Sequence, residues 1–369
     1  MRIAYGVMGY GRGHSSRALA VLPALMREHD VTVFAGGDAY AMLSGRFPAV
    51  EIKTLGYAHG SGGSVSFGAT VLRNAGLTCE LLLGGDSMHH VLREFRARDI
   101  ELVISDSEAW THRAARRLGI PRIGFDHIGV IAYCKPHFPP ELAWRGWRDG
   151  WGYRQLMGLP DRTILSSFYP AQPLAASTRM VGSILRPEVL QVAPTSGSHL
   201  VAYFNRGHLQ FSAHLERTLM QIDTPVIIYG TPYRGRSQNL TFKPIDPIGF
   251  MADVAASHAV ISTAGNQLIG ELLHLRKPIL ALPEEVFEQQ LNAWTVERMG
   301  IGRAASLTRL TVDDIEVFLG DVPACAARME GYATDGLGDA LSALRQFIDE
   351  LGCRDQAKMR RTFSSAPTS

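Results

Sequence analysis

The sequence predicts an α/β protein of two doubly wound domains facing one another across a cleft. Three observations carry that expectation. Short apolar runs alternate with longer helical patterns through both halves, as in parallel sheets covered on both faces. Around residues 183–199 the texture changes to SILRPEVLQVAPTSGSH, rich in Pro, Ser and Gly, which reads as a linker. Each half also places a glycine turn between a strand and a helix, where ligands of open α/β sheets bind.

The elements follow in order. RIAYGVM is a buried first strand and SSRALAVLPALM a helix. DVTVFA (30–35), IELVIS (100–105), IPRIGFD (120–126) and DRTILSS (161–167) continue the first sheet, with VLREFRARD and AWTHRAARRLG as helices between them. The second half has strands HLVAYFN (199–205), PVIIYG (225–230), LTFKP (240–244), HAVIST (258–263) and KPILALP (277–283). Its helices include FMADVAAS, NQLIGELLHL, FEQQLNAWTVERMG and GLGDALSALRQFIDELG (336–352). These divide the chain into a first domain at 1–182, a linker at 183–198, a second domain at 199–352 and a flexible basic tail at 353–369.

Composition narrows the class. A chain of 369 residues can bury two proper cores. Mean hydropathy is zero, and no apolar run is long enough to span a bilayer. The N-terminus enters a strand directly, without a charged-then-apolar leader. Cys79, Cys134, Cys325 and Cys353 have neither CxxC nor His-paired spacing, which suggests a reducing compartment and argues against a disulfide framework and a zinc site. A net charge of +2 gives no reason to expect nucleic acid. A cytoplasmic protein is expected.

GVMGYGRGHSSRALA (6–20) sets Gly9, Gly11 and Gly13 in the first strand-to-helix turn and follows them with His14. Glycines let backbone approach a ligand, and a helix N-terminus favours negative charge. The dinucleotide pattern GxGxxG fails here, because His14 stands where the third glycine would be, and Asp38 is only loosely placed for a ribose. The second half carries a more specific pattern. Ala264, Gly265 and Asn266 start a helix whose backbone N–H groups suit a diphosphate. Glu271, in its second turn, can accept both ribose hydroxyls. Glu288, Gln289 and Gln290 open the next helix with groups that read sugar hydroxyls. Arg206-Gly207-His208, after the first strand of this half, forms either a phosphate loop or a surface turn.

At these residues the chain resembles the GT-B nucleotide-sugar glycosyltransferases over nearly its whole length. It looks closest to two branches, that of the lipid-linked N-acetylglucosaminyltransferase of peptidoglycan synthesis and that of the macrolide and small-molecule enzymes. Their first loop is GGH-like, and GRGH, with Gly13 and His14, occupies it here. The small-molecule branch carries Pro, a spacer, Asp-Gln, two residues and Asn-Ala; PEEVFEQQLNA fits, with Glu288 for the Asp. The family's His-Gly-Gly is here Thr263-Ala264-Gly265, which leaves more of the phosphate contact to backbone amides. The resemblance implies two Rossmann-like domains and a UDP- or dTDP-sugar donor. The implied acceptor is a small molecule, lipid or glycan, and no cofactor is implied.

An acceptor hydroxyl needs a base, and a neutral imidazole near pH 7 suits that task, best when a carboxylate holds its other nitrogen. His14 is the candidate base and Asp106, directly after the run VIS, its partner, as a matching Asp is in the small-molecule branch; Glu108 and Asp126 are rivals. His14 as a helix-start residue and Asp106 as a turn acid are the plainer alternatives. No DxD pair offers a metal site, and a helix dipole can neutralise the leaving group, so a metal-independent, inverting displacement is expected. A nucleotide-sugar 2-epimerase and a non-catalytic sugar-nucleotide-binding subunit are the rival functions.

FPPELAWRGWRDGWGYRQLMG places Trp144, Trp147 and Trp151 at helical spacing, with Arg145, Arg148 and Arg154 between them. The expectation is that the indoles pack into the N-terminal core. Exposed, they would face a membrane surface or line an acceptor pocket. Gly146, Gly150 and Gly152 weaken such a helix by roughly 1 kcal/mol each relative to alanine.

Overall fold

Every residue of RIAYGV after Arg2 is buried, and the run forms β1 (Arg2–Val7) in the middle of a seven-stranded sheet. The structure, a computed structural model, describes residues 1–10, 13–56, 67–332 and 335–364; Gly11 and the stretch YAHGSGGS (57–64) lie outside the described residues. The first sheet adds β2 (Asp30–Ala35), β3 (Ala49–Glu51), β4 (Leu102–Asp106), β5 (Arg122–Asp126), β6 (Arg162–Ser166) and β7 (Thr178–Val181). All its pairs are parallel, in the order β3-β2-β1-β4-β5-β6-β7. The order reverses between β1 and β4, which opens a crevice at their carboxyl ends. There Val7 is in register with Asp106, so the glycine turn after β1 begins beside that carboxylate.

The second sheet repeats the plan with β8 (Leu200–Tyr203), β9 (Val226–Tyr229), β10 (Gly235–Ser237), β11 (Leu240–Lys243), β12 (Ala259–Ser262), β13 (Ile279–Ala281) and β14 (Gly302–Ala304). Its order is β10-β11-β9-β8-β12-β13-β14, and only β10 runs antiparallel to its neighbour. The switch point lies between β8 and β12, where Tyr203 pairs with Ser262. The loops carrying Arg206 and Gly265 therefore leave the same crevice. The short strands β3, β7, β10 and β14 are additions to the expected set; each has only three or four residues.

The last helix departs from expectation. Leu337–Ser364 packs on the first domain, not the second. Its stripe of Ala340, Leu344, Phe347, Ile348 and Leu351 joins the cluster of Ile3, Tyr5, Val21 and Leu22. That apolar face has helical spacing, and the open face of the first sheet is what it covers. Arg162 anchors it through Glu350 at 2.9 Å, and Arg345 reaches Glu28 at 2.8 Å. The outgoing and returning chains touch where Gly336 N–H donates to the Ser183 carbonyl, at 2.8 Å. A Cβ on Gly336 would stand 2.2 Å from the Gly182 carbonyl oxygen, so only glycine fits that crossing. The helix also runs on through 353–364, where a tail was expected, because Gln356, Ala357, Lys358 and Met359 are good helix formers.

The tryptophan segment is helical over Ala143–Met157, but its indoles are not in the core. Trp144, Trp147 and Trp151 are 67%, 58% and 55% exposed. The expected core packing is corrected by the glycines: Gly146, Gly150, Tyr153 and Met157 take the inward face, and the tryptophans point away. Among the described residues no helix is long and apolar enough to cross a membrane.

Candidate active site

Between the two switch points lies a cleft with about 250 Å³ of space. On the first domain, His14 belongs to the opening helix (Gly13–Leu25), which starts at the glycine turn. Gly9 holds that turn against the neighbouring strand: a Cβ there would stand 2.1 Å from Thr54 Oγ1 and 2.5 Å from the Gly36 carbonyl oxygen. Gly13 faces the other domain, with Gln267 3.6 Å from where its Cβ would be.

His14 Nδ1 lies 2.6 Å from Asp106 Oδ1. A carboxylate only accepts, so Nδ1 carries the proton and Nε2 is left as the basic nitrogen. The missing participant is Arg17. One turn along the helix from His14, its Nε donates to Asp106 Oδ2 and its Nη2 to Oδ1, both at 2.7 Å. Burial works to raise the Asp106 pKa, but the charges of Arg17 and His14 outweigh it and hold the carboxyl below its ordinary value. Spacing alone puts Arg17 on the face of His14.

The rival acids have other work. Glu108 caps the Ala109–Leu118 helix, accepting from Trp110 N at 2.9 Å and Thr111 N at 2.7 Å; burial pushes its carboxyl up to about 7. Asp126 accepts from Gly129 N at 2.5 Å and Tyr153 Oη at 2.7 Å, and burial pushes it up to about 6. Neither reaches His14. A second histidine missed in the sequence, His127, lines the cleft from the end of β5. Burial pushes its imidazole down to about 3, so it is neutral, with Nε2 3.9 Å from Glu288 Oε1. It follows an apolar strand at the carboxyl edge, the same local pattern that marks Asp106.

On the second domain, Gly265 caps the helix Asn266–Leu275. The N–H groups of its first turn lack intrahelical carbonyls, as at any helix start. Gly265, Asn266, Gln267 and Glu271 all line the cleft. Glu271 is buried and gripped by Arg186 of the linker, at 2.7 Å to Oε1 and 2.6 Å to Oε2, while Gln267 donates to Oε1 at 2.9 Å. The Asn266 amide reaches instead to the first domain, accepting from Phe168 N and donating to the Ser166 carbonyl, both at 3.4 Å.

Three donor-side expectations change. The Ala264 N–H is spent on the Ser262 carbonyl at 3.1 Å, and Ala264 is fully buried, so it offers no amide to a ligand. Glu288 and Gln289 line the cleft, but Gln290 lies outside its walls. Two residues past Glu288 a helix has turned to its other side, and Gln290 accepts from Arg145 at 2.7 Å there. Arg206 is also absent from the cleft walls; its guanidinium stacks on Tyr10 of the first domain, 4.0 Å from the ring centre. The three tryptophans stand outside the cleft as well. Among the described residues no group of three or more His, Cys, Asp or Glu side chains is placed to hold a metal ion.

Comparison with known proteins follows the fold. The model of a family described as glycosyl transferase family 1 matches residues 1–323. Among solved structures, the glycotransferase of kitacinnamycin is similar, with 18% identity and a TM-score of 0.65 over 94% of this chain and 98% of that one. The spinosyn rhamnosyltransferase SpnG gives 15% and 0.65 over 94% and 100%. MurG of Acinetobacter baumannii gives 15% and 0.58 over 94% and 99%. The shared architecture is GT-B. No curated protein matches the sequence.

Proposed function

The chain belongs to glycosyl transferase family 1, and from that premise we propose that it moves a sugar from a nucleoside diphosphate to an acceptor hydroxyl with inversion. The observation that carries this is the His14–Asp106 pair at the wall of a cleft whose other wall holds Glu288 and Gln289.

The donor fits the cleft in parts. Tyr203, Ile245, Pro247 and Phe250 make an apolar, aromatic end suited to the base of UDP or dTDP. Glu271 is the acceptor for the ribose hydroxyls. The diphosphate sits between two helix N-termini, at Gly13 and at Asn266, where backbone N–H groups and both helix dipoles meet negative charge. Glu288 and Gln289 hold the sugar hydroxyls.

The acceptor oxygen attacks the anomeric carbon as its proton passes to His14 Nε2. The bond to the diphosphate oxygen breaks, and its electron pair leaves with the nucleoside diphosphate. Asp106 stabilises the imidazolium through Nδ1–H. The helix ends stabilise the departing charge without calling on a metal. The acceptor belongs to the small molecules, lipids or glycans.

A screen of UDP- and dTDP-sugars, following free nucleoside diphosphate with and without acceptors, tests the proposal. Release that depends on both substrates supports it. Epimerised donor without release assigns the cleft to a different reaction, and tight donor binding with neither product assigns it to binding alone.

A further inference from the structure

The Ala143–Met157 helix has two unlike faces. Its inward face is built for close approach. A Cβ on Gly146 would stand 2.6 Å from Phe138 and 2.7 Å from Phe287, and one on Gly150 would stand 2.5 Å from the Ile131 carbonyl oxygen. The outward face carries the three exposed tryptophans, two of them stacked with ring centres 5.1 Å apart. Helical spacing sets Arg148 and Arg154 on either side of that stripe; Arg148 is paired with Asp149 at 2.7 Å, so Arg154 is the flanking residue that adds net positive charge.

The surface beside it is apolar and basic. Leu159, just past the helix, is 71% exposed, and Leu83, at the end of the Phe67–Leu83 helix, is 84% exposed. Between them comes the Ala109–Leu118 helix with Arg113, Arg116 and Arg117. Arg113 Nε donates to the Leu156 carbonyl and Arg117 Nη2 to the Leu82 carbonyl, both at 2.9 Å, so these cations rest on backbone rather than on carboxylates. Burial, then the charges of Arg116, Arg122 and Arg117, lowers the Arg113 pKa, as expected in a crowd of like charges.

We propose that this face docks on an anionic lipid bilayer, with the indoles at headgroup depth and the arginines on lipid phosphates. Tryptophan belongs at such an interface because its ring is apolar and its N–H polar, and basic residues beside it meet the surface charge. A second copy fits less well, since a twofold contact here would bring arginines against arginines. The inference is independent of the chemistry proposed for the cleft.

The test is flotation of the whole protein with vesicles of phosphatidylcholine alone or with one-third phosphatidylglycerol. The wild type is expected to float with anionic vesicles only, with binding weakened by salt. Brominated acyl chains should quench its tryptophan emission. The triple variant Trp144→Ser, Trp147→Ser, Trp151→Ser changes only exposed positions; at unchanged melting temperature it should lose at least about tenfold in partitioning. Arg116→Gln with Arg154→Gln should lose about fivefold per residue. Failure of the wild type to prefer anionic vesicles overturns the proposal, as does a triple variant that binds normally. A wild-type dimer that the triple variant dissociates would overturn it in favour of contact between copies.

Discussion

Arg17 holds both carboxylate oxygens of Asp106 at 2.7 Å, while His14 rests on one of the same oxygens at 2.6 Å. The carboxylate that orients the imidazole thus already belongs to a buried fork. This arrangement fixes Asp106 as an anion and aims it, and it also shares out the charge available to an imidazolium.

Arg17→Met leaves Asp106 buried with the His14 imidazole beside it and the guanidinium fork gone. Breaking such a pair costs about 3–5 kcal/mol, measurable by urea unfolding. In the surviving fold the whole Asp106 charge falls on His14, so the acidic limb of the kcat/KM profile should move to higher pH. Arg17→Lys should recover part of the stability, since it keeps the charge without the fork. An unmoved limb in Arg17→Met would detach Arg17 from the base.

Glu271 is held by Arg186 as well as offered to a nucleotide. Glu271→Gln should therefore weaken UDP or dTDP binding by about tenfold or more, the worth of charge-assisted hydrogen bonds, and also lower stability by stranding Arg186. Adding Arg186→Met should restore melting temperature but not affinity. Recovery of both in the double variant would make the pair purely structural.

Glu108 gives a pH test. Its folded pKa, about 7, lies above the ordinary value of 4.5. A carboxyl raised in this way adds stability that is fully present below its unfolded pKa and is lost as pH rises through the folded one. Between pH 5 and 8 the wild type should lose more stability than Glu108→Gln. Parallel curves for the two proteins would contradict the assignment.

Much of this was legible from local patterns. Asp106 ends a strand at the carboxyl edge of the sheet and His14 opens the helix after the first strand, and the apolar runs name those strands without help. Asn266–Leu275 is found where NQLIGELLHL placed it. What was not legible depends on distance in the chain. Arg17 stands in the same short stretch as His14, yet its partner is 89 residues away. The last helix shows its apolar stripe in sequence, but not which sheet the stripe covers. Gly146 and Gly150 read as weak points in a helix, when their spacing marks its close-packed face and so sends the tryptophans outward. Gln290 differs from its useful neighbours only by helical rotation.

Turnover is expected to persist in EDTA, because the proposed diphosphate site offers helix N-termini rather than a carboxylate pair. Reversible loss, restored by Mg²⁺ or Mn²⁺, would assign that charge to a metal.

The central claim, that His14 takes the acceptor proton, is tested by measuring turnover, nucleotide affinity and melting temperature on one His14→Ala protein. The predicted result is a fall in turnover of roughly 10²–10⁴-fold with affinity and melting temperature little changed. A protein that melts earlier yet turns over normally would contradict it, and would leave His14 as a residue that only starts a helix.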